Sequence, residues 1–429
     1  MRTGWTSVGA AGKVRAMSKP ISGQAGAQID AEIVVIGGGL AGLPFGIACA
    51  SAGLRTVLVD REQPATLLAE PFDGRSSAIA YGSQRVLDGL GVWRYLEDAA
   101  QPILDIRVAD QASPLFLHYD HTEVGDRPFG WIVENRAIRQ ALFRRMAELA
   151  ALTCLAPAQP ARVERDAARV LVALADGRRI RTRLVVAADG RNSALRRDAG
   201  IRTFGTDYPQ HAISGTVAHE KPHHGVAVEH FLPAGPFAIL PMTGNRSSVV
   251  WTEKAALAPA LMKLDEAAFH RELARRFGDF LGAVEWQGPR WSYPLQILYA
   301  ERAIDRRLAL LGDAAHVIHP IAGQGLNLGI RDVAALAELV VDAHRLGLDP
   351  GSADVLERYQ RWRRVDTLAL TAVTDGLNRL FSNDIGPLRL ARDLGLALVE
   401  RTPPLKRFFM RHAMGVVGTL PRLVRGEAL

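Results

Sequence analysis

The feature that most constrains this chain is a glycine-rich turn at residues 37–42, Gly-Gly-Gly-Leu-Ala-Gly, which follows the pattern G-x-G-x-x-G. The β-branched run 32–36 leads directly into this turn. In such a unit Gly37 permits a tight turn, Gly39 lets a pyrophosphate approach the backbone, and Gly42 lets a helix pack closely on the strand. The pattern therefore predicts the start of a dinucleotide-binding βαβ unit.

The residues after this turn fit the same unit. The stretch 33–54 carries no charge and is long enough to cross a bilayer. Its early glycines instead favour a strand, a turn and a helix over about 40–52. The next predicted strand, 55–59, ends at Asp60, whose carboxylate can accept the hydroxyls of an adenosine ribose. These features alone do not distinguish FAD from NAD.

Two later strands end in a similar way. The apolar run 184–188 ends at Asp189-Gly190, and the run 308–311 ends at Gly312-Asp313. Taken singly, the first of these is better explained as a simple Asp-Gly turn. Considered together with the other loops, Asp189 can accept hydrogen bonds from ribityl hydroxyls or from amides near a pyrophosphate. Gly190 permits a turn that a side chain would block.

A glycine-rich segment after the third strand begins a predicted helix. The apolar stripe of this helix consists of Leu326, Ile330, Val333 and Leu336. Its free amides at Gly325, Leu326 and Asn327 can face the N1–C2=O edge of a flavin, because a helix N-terminus stabilises the negative charge of the reduced ring. Three separated loops that suit a pyrophosphate, a ribityl chain and a ring together indicate FAD.

The histidines and cysteines do not indicate a metal site. No carboxylate or cysteine is arranged beside His316 and His319, so we expect these side chains to make hydrogen bonds within a loop. Cys49 and Cys154 are the two cysteines, and neither a disulfide framework nor a C-x-x-C motif can be built from them. We therefore predict no metal.

The composition is basic but does not indicate a nucleic-acid partner. The net charge is +7, yet only six of the 52 basic residues are lysines and the arginines are scattered. A chain of 429 residues with 48% hydrophobic content is long enough for two domains. Residues 1–29 contain basic residues and no acid, which fits a disordered leader, an over-extended start or a transit peptide.

On these motifs the chain resembles the ubiquinone-biosynthesis hydroxylases, which are single-component FAD-dependent aromatic hydroxylases with a fold like that of p-hydroxybenzoate hydroxylase. The similarity is strongest in the segment 314–332 (AAHVIHPIAGQGLNLGIRD), where HPIAGQG is the most specific part. It runs from about residue 30 to the end of the chain. It also includes the segments 133–136, 229–241, 292–295 and 415–426.

The resemblance implies roles for individual residues. FAD contacts are implied at Gly37, Gly39, Gly42, Asp60, Arg75, Asn135, Val163, Asp189, Gly190, Gly312, Asp313, Gly325, Leu326 and Asn327. The flavin-facing loop is implied at Pro320, Gly323 and Gln324. The wall of the substrate pocket is implied at Phe237, Leu240 and Pro241. For Arg75 a surface salt bridge is the alternative, and at Val163 the implied contact is a backbone contact with adenine.

The chemistry that the resemblance implies is a monooxygenase reaction. Reduced FAD reacts with O2, and the C4a-hydroperoxyflavin transfers oxygen to the aromatic ring of a polyprenyl phenol. The sequence contains no second G-x-G-x-x-G, so the electron donor is NAD(P)H that docks transiently or another reductant. No catalytic base is assigned; Tyr208, His211 and His230 are polar candidates that are each better explained as structural residues. The alternatives are a flavin-dependent reductase or halogenase of the same fold and a non-enzymatic FAD-bound scaffold.

The predicted fold class is α/β, with a Rossmann-like FAD-binding domain, a mixed-sheet substrate domain and a helical C-terminal tail. The predicted boundaries are a disordered leader at 1–29, a discontinuous FAD-binding domain at 30–105, 130–200 and 296–385, a substrate β-sheet domain at 106–129 and 201–295, and a helical segment at 386–429.

The C-terminal segment mixes basic and apolar residues. Arg401, Lys406, Arg407 and Arg411 alternate with Leu405, Phe408, Phe409, Met410 and Met414. This pattern is typical of a helix on a membrane surface or against a partner subunit, and it fits a helix packed on its own domain equally well. We predict a peripheral location at the inner membrane of a bacterial cytoplasm, contact with a ubiquinone-biosynthesis complex, and, if the leader is a transit peptide, the mitochondrial matrix.

Overall fold

The computed structural model describes residues 28–69, 74–110, 116–381, 395 and 397–429. Most of the predicted leader therefore lies outside the described residues, and so do 386–394 and 396 of the predicted C-terminal segment. The same holds for 70–73 and 382–385 of the predicted FAD-binding domain and for 111–115 of the predicted substrate domain. The last two residues assigned to the leader are an exception, because β1 (Gln28–Asp30) begins there.

The strands after β1 are β2 (Ile33–Ile36), β3 (Thr56–Val59), β4 (Ser76–Ala80), β5 (Gln101–Ile103), β6 (Asp105–Asp110), β7 (Phe116–Asp120), β8 (Gly130–Glu134), β9 (Leu152–Leu155), β10 (Pro160–Arg165), β11 (Val170–Leu174), β12 (Arg179–Thr182), β13 (Leu184–Ala187), β14 (Thr203–His219), β15 (Val226–Leu232), β16 (Gly235–Met242), β17 (Arg246–Lys254), β18 (Val284–Ala300), β19 (Ile304–Asp305), β20 (Leu308–Leu310) and β21 (His316–Val317).

The α-helices include α1 (Gly42–Ser51), α2 (Pro64–Ala69), α3 (Tyr81–Gly89), α4 (Asn135–Ala147), α5 (Ala194–Asp198), α6 (Ala258–Met262), α7 (Glu266–Phe277), α8 (Gln324–Arg345), α9 (Ala353–Phe381), α10 (Pro403–Ala413) and α11 (Arg422–Arg425). Short 3₁₀ turns cover Trp93–Tyr95, Glu97–Ala99, His121–Glu123, Gly312–Ala314 and Ile321–Gly323.

A parallel sheet forms the centre of the nucleotide-binding part. Its order is β19-β20-β13-β2-β3-β9, with only β19 antiparallel to its neighbour. Alternate residues of β2 face opposite layers: Ile33 and Val35 pack with the helices α1, α4 and α8, whereas Val34 and Ile36 pack with a second sheet, β1-β12-β11-β10. Burial of β2 on both faces explains why this strand reads as an unbroken apolar run.

A separate sheet of eight strands has the order β21-β18-β14-β17-β16-β15-β6-β7. Its pairs are antiparallel except that β6 runs parallel to β15, so the sheet is mixed. One face is covered by α7, whose Phe269, Leu273 and Phe277 pack with Phe237 and Trp251. The other face lines a cavity. These two sheets and the helical C-terminal part confirm the predicted α/β class.

The C-terminal helix α10 packs against the body of the protein. Met410 is fully buried, and the buried ammonium group of Lys406 binds Glu123 at 2.8 Å and Glu400 at 2.9 Å. Phe408 is 50% exposed. The helix is thus anchored by one face and presents apolar surface on another. No helix in the described part of the chain is long and apolar enough to cross a membrane.

Candidate functional site

The glycines of the first turn differ in the space around them. A Cβ atom on Gly37, where φ is +102°, would lie 2.3 Å from the carbonyl oxygen of Ala188. One on Gly42 would lie 1.9 Å from the carbonyl oxygen of Gly37. A Cβ atom on Gly39 would meet nothing within 4 Å. Two glycines therefore permit close backbone packing, and the third leaves space for an anion beside the start of α1.

Asp60 follows β3 and contacts this turn. Its carboxylate accepts hydrogen bonds from the backbone N–H of Gly38 and, at 2.8 Å, from that of Glu62. A carboxylate oxygen can accept more than one hydrogen bond, so capacity for a ribose hydroxyl remains. The carboxylate thus lies at the end of the second strand of the βαβ unit, where an acid suits a ribose.

Asp189 carries a buried oxygen atom that no protein group satisfies. Its Oδ2 accepts a hydrogen bond from the N–H of Ala194 at 2.9 Å. Its Oδ1 is buried and has no hydrogen-bond partner in the described part of the chain. Leaving a buried acceptor unpaired costs about 1–3 kcal/mol. A hydroxyl donor from a bound molecule would remove that cost.

Asp313 lies in the third loop and is open to the cavity. Protein surrounds the side chain, but its carboxyl faces the open space of the cavity. A molecule bound in the cavity would cover it. The surrounding protein raises the pKa of this carboxyl, and His316 and Arg191 oppose the rise. Gly312, with φ at +56°, would place a Cβ atom 3.2 Å from that of Ala41. The first and third loops are therefore closely packed.

Arg196, which the sequence analysis missed, ties the second loop to the third. Its buried guanidinium donates hydrogen bonds to the carbonyl oxygens of Ala314 at 2.8 Å and Arg191 at 2.7 Å. The signal available in the sequence was a basic residue two positions after Ala194, in the short helix that follows Asp189-Gly190. The guanidinium holds the two loops at a fixed separation.

The start of α8 is held by a glycine and an asparagine. Gly323 is left-handed, with φ at +61°, and a Cβ atom there would lie 2.8 Å from that of Ala78. The side chain of Asn327 accepts from the N–H of Ala80 at 2.8 Å and donates to the carbonyl oxygens of Ala78 and Gly323, each at 3.0 Å. The side-chain amide is thereby occupied, so a ligand would use the backbone N–H groups.

A buried network of charges lies behind the third loop. Asp332 of α8 binds the His316 ring at 2.6 Å and the Arg363 guanidinium at 2.7 Å, and it accepts from the N–H of Gly312 at 3.2 Å. Arg363 also binds Asp366 at 2.6 Å, and Arg331 binds the same carboxylate at 3.0 Å. Burial raises the pKa of Asp332, but its interactions with His316 and Arg363 outweigh burial and lower the pKa. The network fixes the Gly312 turn to α8 and α9.

One large cavity, with a volume of about 940 Å³, joins these loops to the eight-stranded sheet. The predicted residues among its lining are Gly39, Gly190, Leu240, Gly312, Asp313, Pro320, Gly323, Gln324, Gly325, Leu326 and Asn327. Arg191, which the sequence motifs did not single out, also lines it. The lining also includes Phe381, Val399 and Phe409, the last of these on α10.

Other predicted cofactor residues lie away from the described lining. Asn135 accepts a hydrogen bond from the Ser77 hydroxyl at 2.6 Å and donates its N–H to the carbonyl oxygen of Arg75 at 3.0 Å. The Arg75 guanidinium lies 5.0 Å from the ring centre of Trp291, on the eight-stranded sheet. Val163 is half-buried on β10. Gly37, Gly42 and Asp189 adjoin residues of the lining.

The structure corrects the substrate prediction for Phe237 and Pro241. Leu240 lines the cavity, but Phe237 is fully buried on the other face of the sheet, 6.2 Å from the ring centre of Trp251. Pro241 is likewise not among the described lining residues. Side chains of a strand alternate between faces, so one face of β16 presents Pro236, Ala238 and Leu240 to the cavity. The sequence motif located the strand but not its orientation.

Two of the polar candidates, Tyr208 and His211, have structural partners, whereas the nearby His319 has none in the described residues. The Tyr208 hydroxyl donates to Asp375 at 2.6 Å, and His211 contacts the Ser292 hydroxyl at 3.3 Å. The prediction of a loop hydrogen bond is wrong for His319: its ring is fully buried, and neither nitrogen has a partner in the described residues. Burial lowers the pKa of His319 to about 4, so the ring is neutral. It packs edge-on against Tyr208 with ring centres 5.2 Å apart.

Glu229 is a cavity residue that the sequence analysis quoted only as part of a motif. It lines the cavity from β15, and burial raises the pKa of its carboxyl to about 7. The signal was a single acid in a mostly apolar strand, with Ala227 and Phe231 two positions away on either side. The sequence does not show which face of the strand meets the cavity, so Glu229 could not be assigned to the cavity from this signal.

Comparison with known proteins shows the family to which the chain belongs. Residues 30–371 match a family model described as an FAD binding domain. Over 425 residues, which cover 98% of both chains, the protein is 54% identical to the ubiquinone hydroxylase UbiL of Rhodospirillum rubrum. The chain belongs to the FAD-dependent hydroxylases of ubiquinone biosynthesis. This confirms the resemblance and the prediction of an FAD-dependent aromatic-ring monooxygenase.

Two further comparisons place this hydroxylase among its relatives. It is 34% identical to the 3-demethoxyubiquinol 3-hydroxylase of Escherichia coli over 393 residues, covering 90% of this chain and 98% of the relative. The crystal structure of p-nitrophenol 4-monooxygenase PnpA from Pseudomonas putida superposes with a TM-score of 0.76 at 20% identity, covering 91% of this chain and 100% of that one. The latter similarity shows the shared fold.

The residues present in this hydroxylase fit FAD. The open backbone at Gly39 suits an anion, and the unpaired oxygen of Asp189 calls for a hydroxyl donor. The accessible carboxyl of Asp313 and the N-terminus of α8 border the same cavity. Four features that a dinucleotide with a ribityl chain would satisfy therefore lie around one space.

Proposed function

We propose that this protein hydroxylates the aromatic ring of a polyprenyl phenol in ubiquinone biosynthesis, using FAD, O2 and electrons from NAD(P)H or another donor. The observation that carries the proposal is the single cavity that joins three cofactor loops to the apolar face of a sheet. The names of the relatives, a ubiquinone hydroxylase and a demethoxyubiquinol hydroxylase, support this choice of substrate class.

The residues that would hold FAD come from all three loops. The backbone at Gly39 and the start of α1 would bind the pyrophosphate, and Asp60 the adenosine ribose. Arg75, Asn135 and Val163 remain proposed contacts of the outer part of the cofactor. When bound, FAD supplies the activation of O2 and the transfer of one oxygen atom to the ring.

Other residues would position the ring system of the flavin and shield it from water. Asp189 would accept a ribityl hydroxyl, and Asp313 lies beside the same space. The N–H groups at the start of α8, residues 324–327, would stabilise negative charge on the reduced ring. Pro320 and Gly323 would border its reacting face. Because Asn327 pins this helix start to β4, the donors are in place before a ligand binds.

The substrate half of the cavity suits a long apolar molecule. Its walls carry Ile103, Ile106, Val108, Leu117, Phe129, Phe231 and Leu240. An apolar channel binds a prenyl chain by burial and keeps water from the reacting ring. We assign this role to the eight-stranded sheet and cofactor binding to the parallel sheet, as in the predicted division into domains.

The part of the cavity lined by α10 suggests contact with a membrane surface. It reaches Phe409, whose neighbour Phe408 is 50% exposed, and Arg407 and Arg411 lie on the same helix. Apolar side chains with nearby basic groups suit the interface of an anionic bilayer. The protein would therefore receive its substrate at the cytoplasmic face of a membrane, alone or within a biosynthetic complex.

Flavin binding can be tested at Gly39 with a matched control. Gly39→Asp places a carboxylate where the pyrophosphate would lie, whereas Gly376→Asp places one on an exposed, open position of α9. We expect wild type and Gly376→Asp to be yellow and to consume O2 when given a prenylated phenol and a reductant. Gly39→Asp should be folded by circular dichroism but colourless.

A wild-type protein that cannot take up FAD would refute the proposal. Stoichiometric reduction of a double bond or chlorination without hydroxylated product would favour the alternative chemistries. Quinone profiling by mass spectrometry of a strain that lacks the gene should reveal an accumulated precursor one hydroxylation short.

Membrane contact can be tested by vesicle flotation with Phe408→Ser. Phe280→Ser is the control, since Phe280 is 42% exposed and stacks on Phe277 of α7, which covers the sheet face opposite the cavity. We expect binding to anionic vesicles to fall for the first variant and not for the second. Equal binding of both variants, or no binding of the wild type, would contradict this part of the proposal.

A further inference from the structure

The cavity contains a carboxyl group, Glu229, that no cofactor role explains. Glu229 lies in the middle of β15, and Ala227 and Phe231, two positions away on either side, point to the same face. Across the sheet it pairs with Val108 on β6 and Ala238 on β16. All four neighbours line the cavity with apolar surface. Glu229 is therefore a polar group set in an apolar wall.

This wall lies close to the loop that would border the flavin. Ile321, which follows Pro320, packs in one buried cluster with Ala227 and Phe231. Phe231 also stacks on Phe381 with ring centres 4.0 Å apart, which fixes the apolar wall on one side of Glu229. The other carboxyl among the described lining residues, Asp313, belongs to the cofactor loops. Glu229 is therefore the carboxyl of the apolar wall that borders this loop.

The surroundings of Glu229 leave its hydrogen-bonding capacity for a ligand. Burial alone raises the pKa of this carboxyl to about 7, and no charged or hydrogen-bonding group in the described residues opposes the rise. A carboxyl oxygen accepts hydrogen bonds whether or not the group is protonated. Leaving it unpaired is unfavourable, so a hydroxyl donor that enters the cavity gains from meeting it.

We infer that Glu229 binds the ring hydroxyl of the phenol substrate and thereby selects the ring carbon that faces the flavin. The inference rests on the proposed function and adds a specificity residue to it. A prenyl chain in an apolar channel fixes the depth of the ring but leaves it free to rotate about the chain. One hydrogen bond from the wall removes that freedom.

The test compares Glu229→Met and Glu229→Gln with the wild type. Met keeps the length of the side chain and removes the acceptor, while Gln keeps a carbonyl acceptor. The substrates are a short-chain prenylated phenol and its methyl ether, which lacks the hydroxyl donor. Hydroxylated products are identified by mass spectrometry and NMR, and H2O2 is measured as the uncoupled product. Flavin content is measured by absorbance.

Expected results separate binding of the hydroxyl from mere packing. Glu229→Met should keep its flavin and lose about 10- to 100-fold in kcat/KM on the phenol, the range that loss of a hydrogen bond to a charged group gives. It should release more H2O2 and yield a mixture of ring positions. Glu229→Gln should retain one ring position. The wild type should discriminate against the methyl ether more strongly than Glu229→Met does, because only the wild type loses a hydrogen bond with this substrate.

Two results would overturn the inference while leaving the proposed function intact. One is a Glu229→Met variant with wild-type kcat/KM and a single ring position. The other is equal loss on phenol and methyl ether, which indicates a packing defect. Failure of the wild type to hydroxylate any prenylated phenol would instead count against the proposed function. Met in an apolar wall should not lower the thermal stability. The melting temperature of each variant is measured to check this.

Discussion

Removing Arg363 should destabilise the protein far more than removing a neighbouring arginine on the same helix. Its buried guanidinium binds Asp332 at 2.7 Å and Asp366 at 2.6 Å. Arg363→Met leaves both carboxylates with fewer partners, and loss of one partner of a buried pair costs about 3–5 kcal/mol. Arg361→Met is the control, because Arg361 is 65% exposed and lies 3.5 Å from Glu357. An exposed pair of this kind contributes about 0–1 kcal/mol.

The effect on melting can be worked out from the size of the chain. Unfolding entropy of about 2 cal/mol/K per residue makes 3–5 kcal/mol equal to about 3–6 °C for a protein of this length. Differential scanning fluorimetry of the flavin-loaded protein, at one scan rate for all variants, measures the shift. The Arg363→Met protein should also release flavin at lower temperature, because Asp332 supports the Gly312 turn.

A double variant tests the reasoning further. Asp332→Asn combined with Arg363→Met should cost less than the sum of the single changes, because each single change leaves a buried charge without its partner. The contribution of Asp332 requires its charge: its pKa is lowered on folding, so the stabilisation is present above the unfolded pKa near 4 and is lost as pH falls through the lower folded value. Equal melting shifts for Arg363→Met and Arg361→Met would refute the account.

Further changes separate packing from binding. Gly42→Ala should lower thermal stability and flavin content, since its Cβ would lie 1.9 Å from a carbonyl oxygen, whereas Gly46→Ala on the same helix meets only a side chain at 3.4 Å and should be tolerated. Phe237→Ala should cost about 3–5 kcal/mol of stability, measured by denaturant unfolding. Leu240→Ala should instead raise the KM for long-chain substrate in oxygen-uptake assays. Asp189→Ala should raise the Kd for FAD, measured by flavin fluorescence. Melting of the apoprotein should change little, because removal of the unpaired buried oxygen offsets loss of the hydrogen bond from the N–H of Ala194.

The cofactor half of the site was the part most accessible from sequence. Each cofactor loop joins a short apolar strand to a turn that needs glycine, and that local pattern is written in consecutive residues. The strands 33–36, 184–187 and 308–310 do neighbour one another in the parallel sheet, so the loops that follow them meet at one edge. Local chemistry and parallel topology together were sufficient to predict FAD.

The substrate half was less accessible because its information is not local. A strand pattern gives alternation, but only the packing of α7 on one face of the sheet shows that Phe237 faces the core and Leu240 the cavity. The same is true of Glu229, whose meaning depends on which face it occupies. His319 was assigned a hydrogen bond from its polar type, whereas its position beneath Tyr208 made it a packing residue.

Helix α8 shows why the charged network and the flavin loop belong together. Its first turn would face the flavin, Asn327 fixes that turn to β4, and Asp332, more than a turn further on, holds the Gly312 turn. A single rigid helix therefore sets the distance between the donors for the ring and the loop for the ribityl chain. A rotation of α8 would move both at once and would break the ion pairs of Asp332 with His316 and Arg363. Buried charges with directional partners resist such a rotation more than an apolar contact would, since an apolar surface can slide at little cost while a misaligned buried carboxylate loses its partners.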